Sequence, residues 1–388
     1  MGIKYSERIT RLPPYLFLEI DRKKKEAIKR GVRIIDFGVG DPDLPTPEYI
    51  RKRMKAAVDD PQNHRYPFGE GLLEFRKSVS TWYLHRFGVE LDPVSEVHSL
   101  IGSKEGIGHL PLAFVNPNDV VLCPEPGYPV YRGSTIIAGG EPVNMPLVER
   151  NRFLPDLGAI PESAARKAVL MFINYPNNPT GACADIMFYE DVVEFAKKYG
   201  IIIAHDAAYS ELYFSDSKPV SFLQVKGAKE VGIEFHSLSK TYSMTGWRIG
   251  WVCGNPDIIK GLSIIKGNVD SGAFNAVQVS AVEALDGPAK HCDEIRAVFN
   301  SRMEMMTQGL KCLGWDVSKP PATFYLWVRT PRGCSSVECA GKLLEEAGII
   351  ASPGNGFGPS GEGYVRFSLT VKEELIEEAL QRLKKIEW

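Results

Sequence analysis

Between Ser237 and Arg248 the chain reads Ser-Leu-Ser-Lys-Thr-Tyr-Ser-Met-Thr-Gly-Trp-Arg, which puts an amine, the hydroxyls of Ser237 and Ser239 and a guanidinium within twelve residues. The amine of Lys240 is a nucleophile for a carbonyl. Ser237, Ser239 and the planar fork of Arg248 are donors suited to a phosphate. Together they suit a phosphorylated aldehyde, and pyridoxal 5′-phosphate is the cofactor whose aldehyde is held on a lysine as a Schiff base. Read alone, a solvated Ser/Lys/Thr/Arg turn fits the same residues equally well, so the choice falls to the rest of the chain.

Asp206 ends the apolar run Ile201-Ile202-Ile203-Ala204, three residues before Tyr209 and 34 before Lys240. A carboxylate at the end of a buried strand is costly unless it meets a cation. A protonated pyridine nitrogen is such a cation and turns its ring into an electron sink, with Tyr209 placed to hydrogen-bond the ring's phenolic oxygen. The other reading of Asp206 is a helix N-cap or turn residue. Val97 to Ile101 runs as a strand into Gly102-Ser103-Lys104-Glu105-Gly106 and an apolar helix, a junction that exposes helix N-terminal amides to a phosphate. The turn Gly38-Val39-Gly40-Asp41-Pro42 lacks the third glycine and the immediate helix of a dinucleotide fingerprint. It either lets backbone approach something closely or is a simple tight turn.

These residues must be carried by a scaffold, and the chain alternates strand and helix signals. Helical patterns cover Leu16 to Arg30, Pro47 to Val58, Leu72 to Phe87, the stretch after Pro129, and Asp185 to Tyr199. Strand patterns cover Arg33 to Phe37, Val97 to Ile101, Val120 to Cys123, Pro142 to Met145, Val169 to Asn174, Ile201 to Ala204 and Val231 to Phe235, the last feeding a polar loop with Lys240. This rhythm predicts an α/β fold with a mostly parallel sheet covered by helices on both faces. Active sites gather at the rim of such sheets. Gly287-Pro288 breaks the pattern before a long helix to Leu313, and the strand, helix, strand, helix run that follows reads as a smaller α+β unit. The expected division is a large cofactor-binding domain over residues 46–287 and a small domain formed by 1–45 with 288–388.

At 388 residues and 44% hydrophobic content the chain can build two well-cored domains. Its 46 basic and 48 acidic residues give a formal charge of −2, which makes no electrostatic case for nucleic acid or a membrane surface. No stretch approaches the roughly 18 uninterrupted apolar residues of a membrane span, and the expected location is cytoplasmic. Seven scattered cysteines without a CxxC pair argue for reduced, mostly buried thiols and against a zinc site or disulfide framework.

Asn174-Tyr175-Pro176-Asn177-Asn178-Pro179-Thr180-Gly181 is too constrained for a casual loop. Pro-Asn-Asn-Pro-Thr-Gly, then Asp-x-x-Tyr at Asp206, then Ser-x-Ser-Lys ending in Gly-Trp-Arg, in this order, resembles the class I and II aminotransferases of pyridoxal-phosphate fold type I. The resemblance implies that Lys240 tethers the cofactor and acts as general base, and that Asp206 partners the ring nitrogen. It assigns Asn178 and Tyr209 to the phenolic oxygen and Tyr128 to the ring face. Ser103 and Lys104 would meet the phosphate with Ser237, Ser239 and Arg248. Arg366 would grip the substrate α-carboxylate beside Gly40, and Tyr66 would reach the phosphate of a neighbouring subunit, making the protein a homodimer with shared sites.

A narrower resemblance rests on Leu12 to Ile20, His64-Arg65-Tyr66-Pro67, Ile101 to Gly106 and Asn268 to Phe274. These are similar to the LL-diaminopimelate aminotransferases of lysine biosynthesis, which interconvert LL-diaminopimelate plus 2-oxoglutarate with tetrahydrodipicolinate plus glutamate. Tyr15, Lys104, Tyr128 and Asn178 then join Gly40 and Arg366 as substrate contacts. Phe68-Gly69-Glu70 stands where the wider family has Pro-Ser/Thr-x-Glu-Gly. The competing readings are a broad-range aspartate, alanine or aromatic aminotransferase, a pyridoxal-dependent C–S β-lyase, and a regulator carrying this fold beside a DNA-binding module, for which no residues are left over.

Overall fold

The computed structural model describes residues 3–13, 16–67, 69–214, 218–331 and 333–388, with side chains 16–19 excepted. Tyr15 and Phe68, both singled out in the sequence, lie outside the described residues. Seven strands form the main sheet, in the spatial order Val97–Leu100, Gly250–Gly254, Gly232–Ser237, Ile202–Asp206, Ala168–Asn174, Val120–Glu125, Glu141–Pro146. Neighbours are parallel except Gly250–Gly254, which is antiparallel to both of its partners. The central strands are buried nearly throughout, as sheets covered on both faces require.

Alternation along each strand feeds two cores. One holds Phe75, Val79, Tyr83, Leu122, Ile203 and Trp251, and the other holds Leu100, Ile107, Val121, Phe172, Ala204 and Phe235. Asn174, Asp206 and Ser237 are each the last residue of their strands, so the parallel direction delivers all three to one rim.

A second body is built from both ends of the chain. Ile35–Asp36 pairs in parallel with Ile349–Ile350, and Tyr364–Ser368 lies between Ser352–Pro353 and Tyr325–Arg329 in an antiparallel sheet. The helices Lys290–Cys312, Ser336–Ala347 and Glu373–Leu383 pack here over Phe37, Met303, Met306, Leu326, Val365 and Phe367. The helix Ser336–Ala347 starts with a reciprocal capping box between Ser335 and Glu338, which satisfies two otherwise orphaned amides.

Some local readings need correcting. Lys240 sits in one turn of helix, Leu238–Thr241, rather than in a loop, and Ser237 caps it by accepting from the Ser239 amide at 3.2 Å. Val231 belongs to the short helix Ala228–Val231, and the strand begins at Gly232, so the apolar run spans a helix end and a strand. Asp206 is a strand residue and not a helix N-cap. The strand Gly250–Gly254 and the helices Pro256–Val269 and Asn275–Asp286 were not distinguished in the sequence. The first is short and glycine-bounded, and it is turned back by Arg248, which has a left-handed backbone at φ 56°. All seven cysteines are free, and four of them are buried. Among the described residues no helix is long and apolar enough to cross a membrane.

Candidate active site

At that rim lies a cavity of about 350 Å³, within the ~300–1,000 Å³ usual for small-molecule sites. Lys240, Asp206, Tyr209, Asn178, Tyr128 and Gly40 line it, and so do Ser103, Lys104, Ser237, Ser239 and Arg248. The lining therefore joins residues more than 200 positions apart.

The Lys240 amine donates to the Gly40 carbonyl at 2.7 Å and lies 5.6 Å from the centre of the Phe324 ring. Burial is the main cause that brings it down to about 8, with the nearby guanidinium charges of Arg248 and Arg366 helping and Asp41 opposing. Asp206 is 5% exposed, and burial pushes its carboxyl up against the lowering effect of the Tyr131 hydroxyl, which donates to Oδ2 at 2.8 Å. The Asn174 side chain ties the Asp206 carbonyl at 2.7 Å and accepts from the Asn178 amide at 2.8 Å. Among the described residues neither Lys240 nor Asp206 makes a salt bridge.

The far wall is a cradle for an anion. Ser103 and Lys104 open the helix Ser103–Phe114, whose first amides carry the positive end of the helix dipole. Arg248 donates to the carbonyls of Thr245 at 2.8 Å and Ile101 at 3.3 Å, which aims its fork across the mouth of that helix. Close approach here depends on glycine. A Cβ on Gly102, held at φ 74°, would collide with the Arg248 fork, and one on Gly250 would lie 2.5 Å from the His236 carbonyl and 3.0 Å from the Ser103 amide. A molecule matching these walls carries an aldehyde for Lys240, a basic ring nitrogen for Asp206 and a phosphate for the cradle. Pyridoxal 5′-phosphate has all three.

Arg366 lies behind this cavity, fully buried on the rings of Tyr325 (4.2 Å) and Phe357 (4.7 Å). It donates to Asn178 Oδ1 at 2.7 Å and to the Gly38 carbonyl at 2.8 Å, so Asn178 links it to the cavity wall. Tyr66 is 72% exposed and is not brought to the cavity. Three contributors were missed in the sequence. Tyr325 bonds the Tyr209 hydroxyl at 2.9 Å, Tyr131 bonds Asp206, and Asn174 orders the strand ends. Tyr131 carried a local signal, being three residues after Tyr128 at the start of the helix Val130–Ala138, and so did Asn174, which opens the constrained stretch to Gly181; Tyr325 carried none.

The profile of the aminotransferase class I and II family matches residues 32–383. The chain is 55% identical over 383 residues to an LL-diaminopimelate aminotransferase of Aquifex aeolicus, covering 99% of each chain. It is 54% identical over 381 residues to one of Moorella thermoacetica, covering 98% of each. Among solved structures, apo BacF from Bacillus subtilis superposes with a TM-score of 0.95 at 38% identity, covering 99% of this chain and 98% of that one.

With its amine brought down to about 8, Lys240 is mostly neutral above that pH and mostly protonated below it, and only the neutral form attacks a carbonyl. The rate at which cofactor-free enzyme takes up pyridoxal phosphate, followed by stopped-flow absorbance, should climb about tenfold per unit from about pH 6 to about 8 and then level off. A climb continuing toward the ordinary lysine value of 10.5 would contradict the desolvation of this amine.

Proposed function

The chain belongs to the class I and II aminotransferases, pyridoxal-phosphate enzymes of fold type I, and we propose that it interconverts LL-diaminopimelate and 2-oxoglutarate with tetrahydrodipicolinate and glutamate. The observation that carries the reaction type is a buried amine and a buried carboxylate in one cavity beside an anion cradle. The substrate follows from full-length kinship at 54–55% identity to two enzymes of that name. We read residues 46–287 as the cofactor-binding domain and 1–45 with 288–388 as the smaller one.

When bound, pyridoxal phosphate supplies an electron-withdrawing ring that takes up the electron pair left at the substrate Cα. Lys240 Nζ, about half of it neutral near pH 8, removes the Cα proton as general base. Asp206 would hold a proton on the ring nitrogen, Tyr209 and Asn178 would hold the phenolic oxygen, and Tyr128 would pack against the ring. Arg366 receives the substrate carboxylate with a bidentate fork that a lysine could not offer. The Gly38 carbonyl and Asn178 hold that fork in place meanwhile.

Both amino donors present an α-carboxylate to Arg366, so discrimination lies at the far end. There diaminopimelate carries an ammonium and a carboxylate, whereas glutamate carries only a carboxylate. Tyr15, Lys104 and backbone amides tolerate either pattern, and no arginine stands between Arg248 and Arg296 to fix a second carboxylate. Turnover of LL-diaminopimelate, as kcat/KM, should exceed that of aspartate by roughly two orders of magnitude or more. Comparable values would overturn the substrate while leaving the aminotransferase, and release of pyruvate and ammonia without a keto-acid acceptor would point to a β-lyase.

We further read the enzyme as a homodimer in which Tyr66 and the loop Asp270-Ser271-Gly272 serve the neighbouring site. The exposure of Tyr66 in the single chain supports this reading. Mixing inactive Tyr66 and Lys240 variants should restore hybrid dimers with one competent site, up to about a quarter of wild-type activity for random exchange. No recovery despite demonstrated subunit exchange would rule out a shared site.

A further inference from the structure

On the sheet face opposite Asp206, five donors converge on one fully buried carboxylate. Glu234 Oε1 accepts from the Tyr83 hydroxyl (2.7 Å), the Ser221 hydroxyl (2.8 Å) and His236 Nε2 (2.9 Å). Its Oε2 accepts from the Phe222 amide (3.0 Å) and His205 Nδ1 (2.7 Å). Burial alone would push this carboxyl up, but the hydrogen bonds from His205 and His236 hold it well below the usual carboxylate range. Glu234 is therefore an anion with no exposure to water.

His205, equally buried, has acceptors on both sides. Nδ1 faces the Glu234 carboxylate, and Nε2 lies 3.0 Å from the Tyr175 carbonyl oxygen, which can only accept, and 3.1 Å from the Tyr189 hydroxyl. A ring whose two nitrogens both meet acceptors carries hydrogen on both. A buried carboxylate also needs such a partner, since an uncompensated charge there would cost several kcal/mol. His205 and Glu234 are register partners on adjacent parallel strands, and His205 directly precedes Asp206. The positive member of the pair thus sits on the Asp206 strand, with its side chain on the other face.

We propose that Glu234 holds His205 as an imidazolium, and that this buried ion pair is a positioning element that keeps Asp206 ionised beneath the cofactor's ring nitrogen. This rests on the reading of Asp206 given above. Burial is the main influence on Asp206 and favours its neutral form, and the hydroxyl of Tyr131, the amide of Ala208 and the charges of His205 and, after it, His236 work against it. The other titratable groups packed around the pair are Tyr83, Tyr175, Tyr189, Cys253 and His236. Burial pushes the three tyrosines and the cysteine up, so they stay neutral. On the Asp206 side Tyr131 and Tyr209 are likewise neutral, leaving Lys104, Lys240 and Arg248 as the cations in the cavity wall, with Arg366 behind it.

Two measurements on the holoenzyme test this. Neutron diffraction at about pH 8 should show deuterium on both ring nitrogens of His205, and a single deuterium would overturn the ion pair whatever Asp206 does. In a pH titration of the bound cofactor's visible band, His205→Asn leaves Glu234 uncompensated and should raise the midpoint by roughly half a unit or more. The double variant His205→Asn/Glu234→Gln removes both charges and should keep the midpoint above wild type, though less so than His205→Asn alone; a wild-type midpoint there would show that the pair is not needed. An unmoved midpoint in folded, cofactor-loaded His205→Asn would refute the positioning role. If His205→Asn does not fold, the diffraction result alone decides. Should Asp206→Asn leave both the midpoint and the cofactor's affinity unchanged, it is the reading of Asp206 that fails and not the ion pair.

Discussion

Two opposite charges, the Lys240 amine and the Asp206 carboxyl, are withdrawn from water into one cavity without being paired to each other. Each group alone would cost several kcal/mol to bury in ionised form, and each responds by shifting toward its neutral state. The structure keeps them apart. The Gly40 carbonyl takes the amine, the Tyr131 hydroxyl takes the carboxylate, and Asn174 fixes the strand end from which Asp206 projects. A site strained in this way is relieved by a ligand that brings a carbonyl to one group and a basic nitrogen to the other. Most of the parallel sheet exists, in functional terms, to bring those groups to one rim.

The second body serves the same site from outside. Arg366 lies on a strand of the small sheet, between aromatic faces, and reaches the large sheet through Asn178. Gly38 and Gly40 belong to the segment that crosses between the two bodies, and their carbonyls hold Arg366 and Lys240. A single stretch of backbone thus touches both the proposed carboxylate grip and the proposed base. Tyr325 closes the arrangement by packing on Arg366 and bonding Tyr209.

Much of this was legible before any coordinates. Lys240, Asp206, Asn178 and Arg248 stand at strand ends or in turns, where Pro, Gly, Ser and Asn mark the backbone, and the apolar runs before them identify the strands. What stayed hidden depends on distance along the chain or on chain direction. Tyr325 meets Tyr209 across 116 positions, and nothing near either residue announces the contact. The strand Gly250–Gly254 reverses because the backbone turns at Arg248, a residue type that gives no warning of a left-handed conformation. Periodicity also could not show that Lys240 rides on a helical turn, since four residues are too few to display a period. The Glu234 cluster was equally invisible, because its donors come from four separate elements and each reads as ordinary core.

The most direct test of the central claim is to reduce the cofactor-loaded enzyme with borohydride and map the labelled residue by peptide mass spectrometry. The account predicts loss of the visible cofactor band and a single pyridoxyl label on Lys240. A label on Lys104 or Lys266, or a visible band that resists reduction, would contradict it.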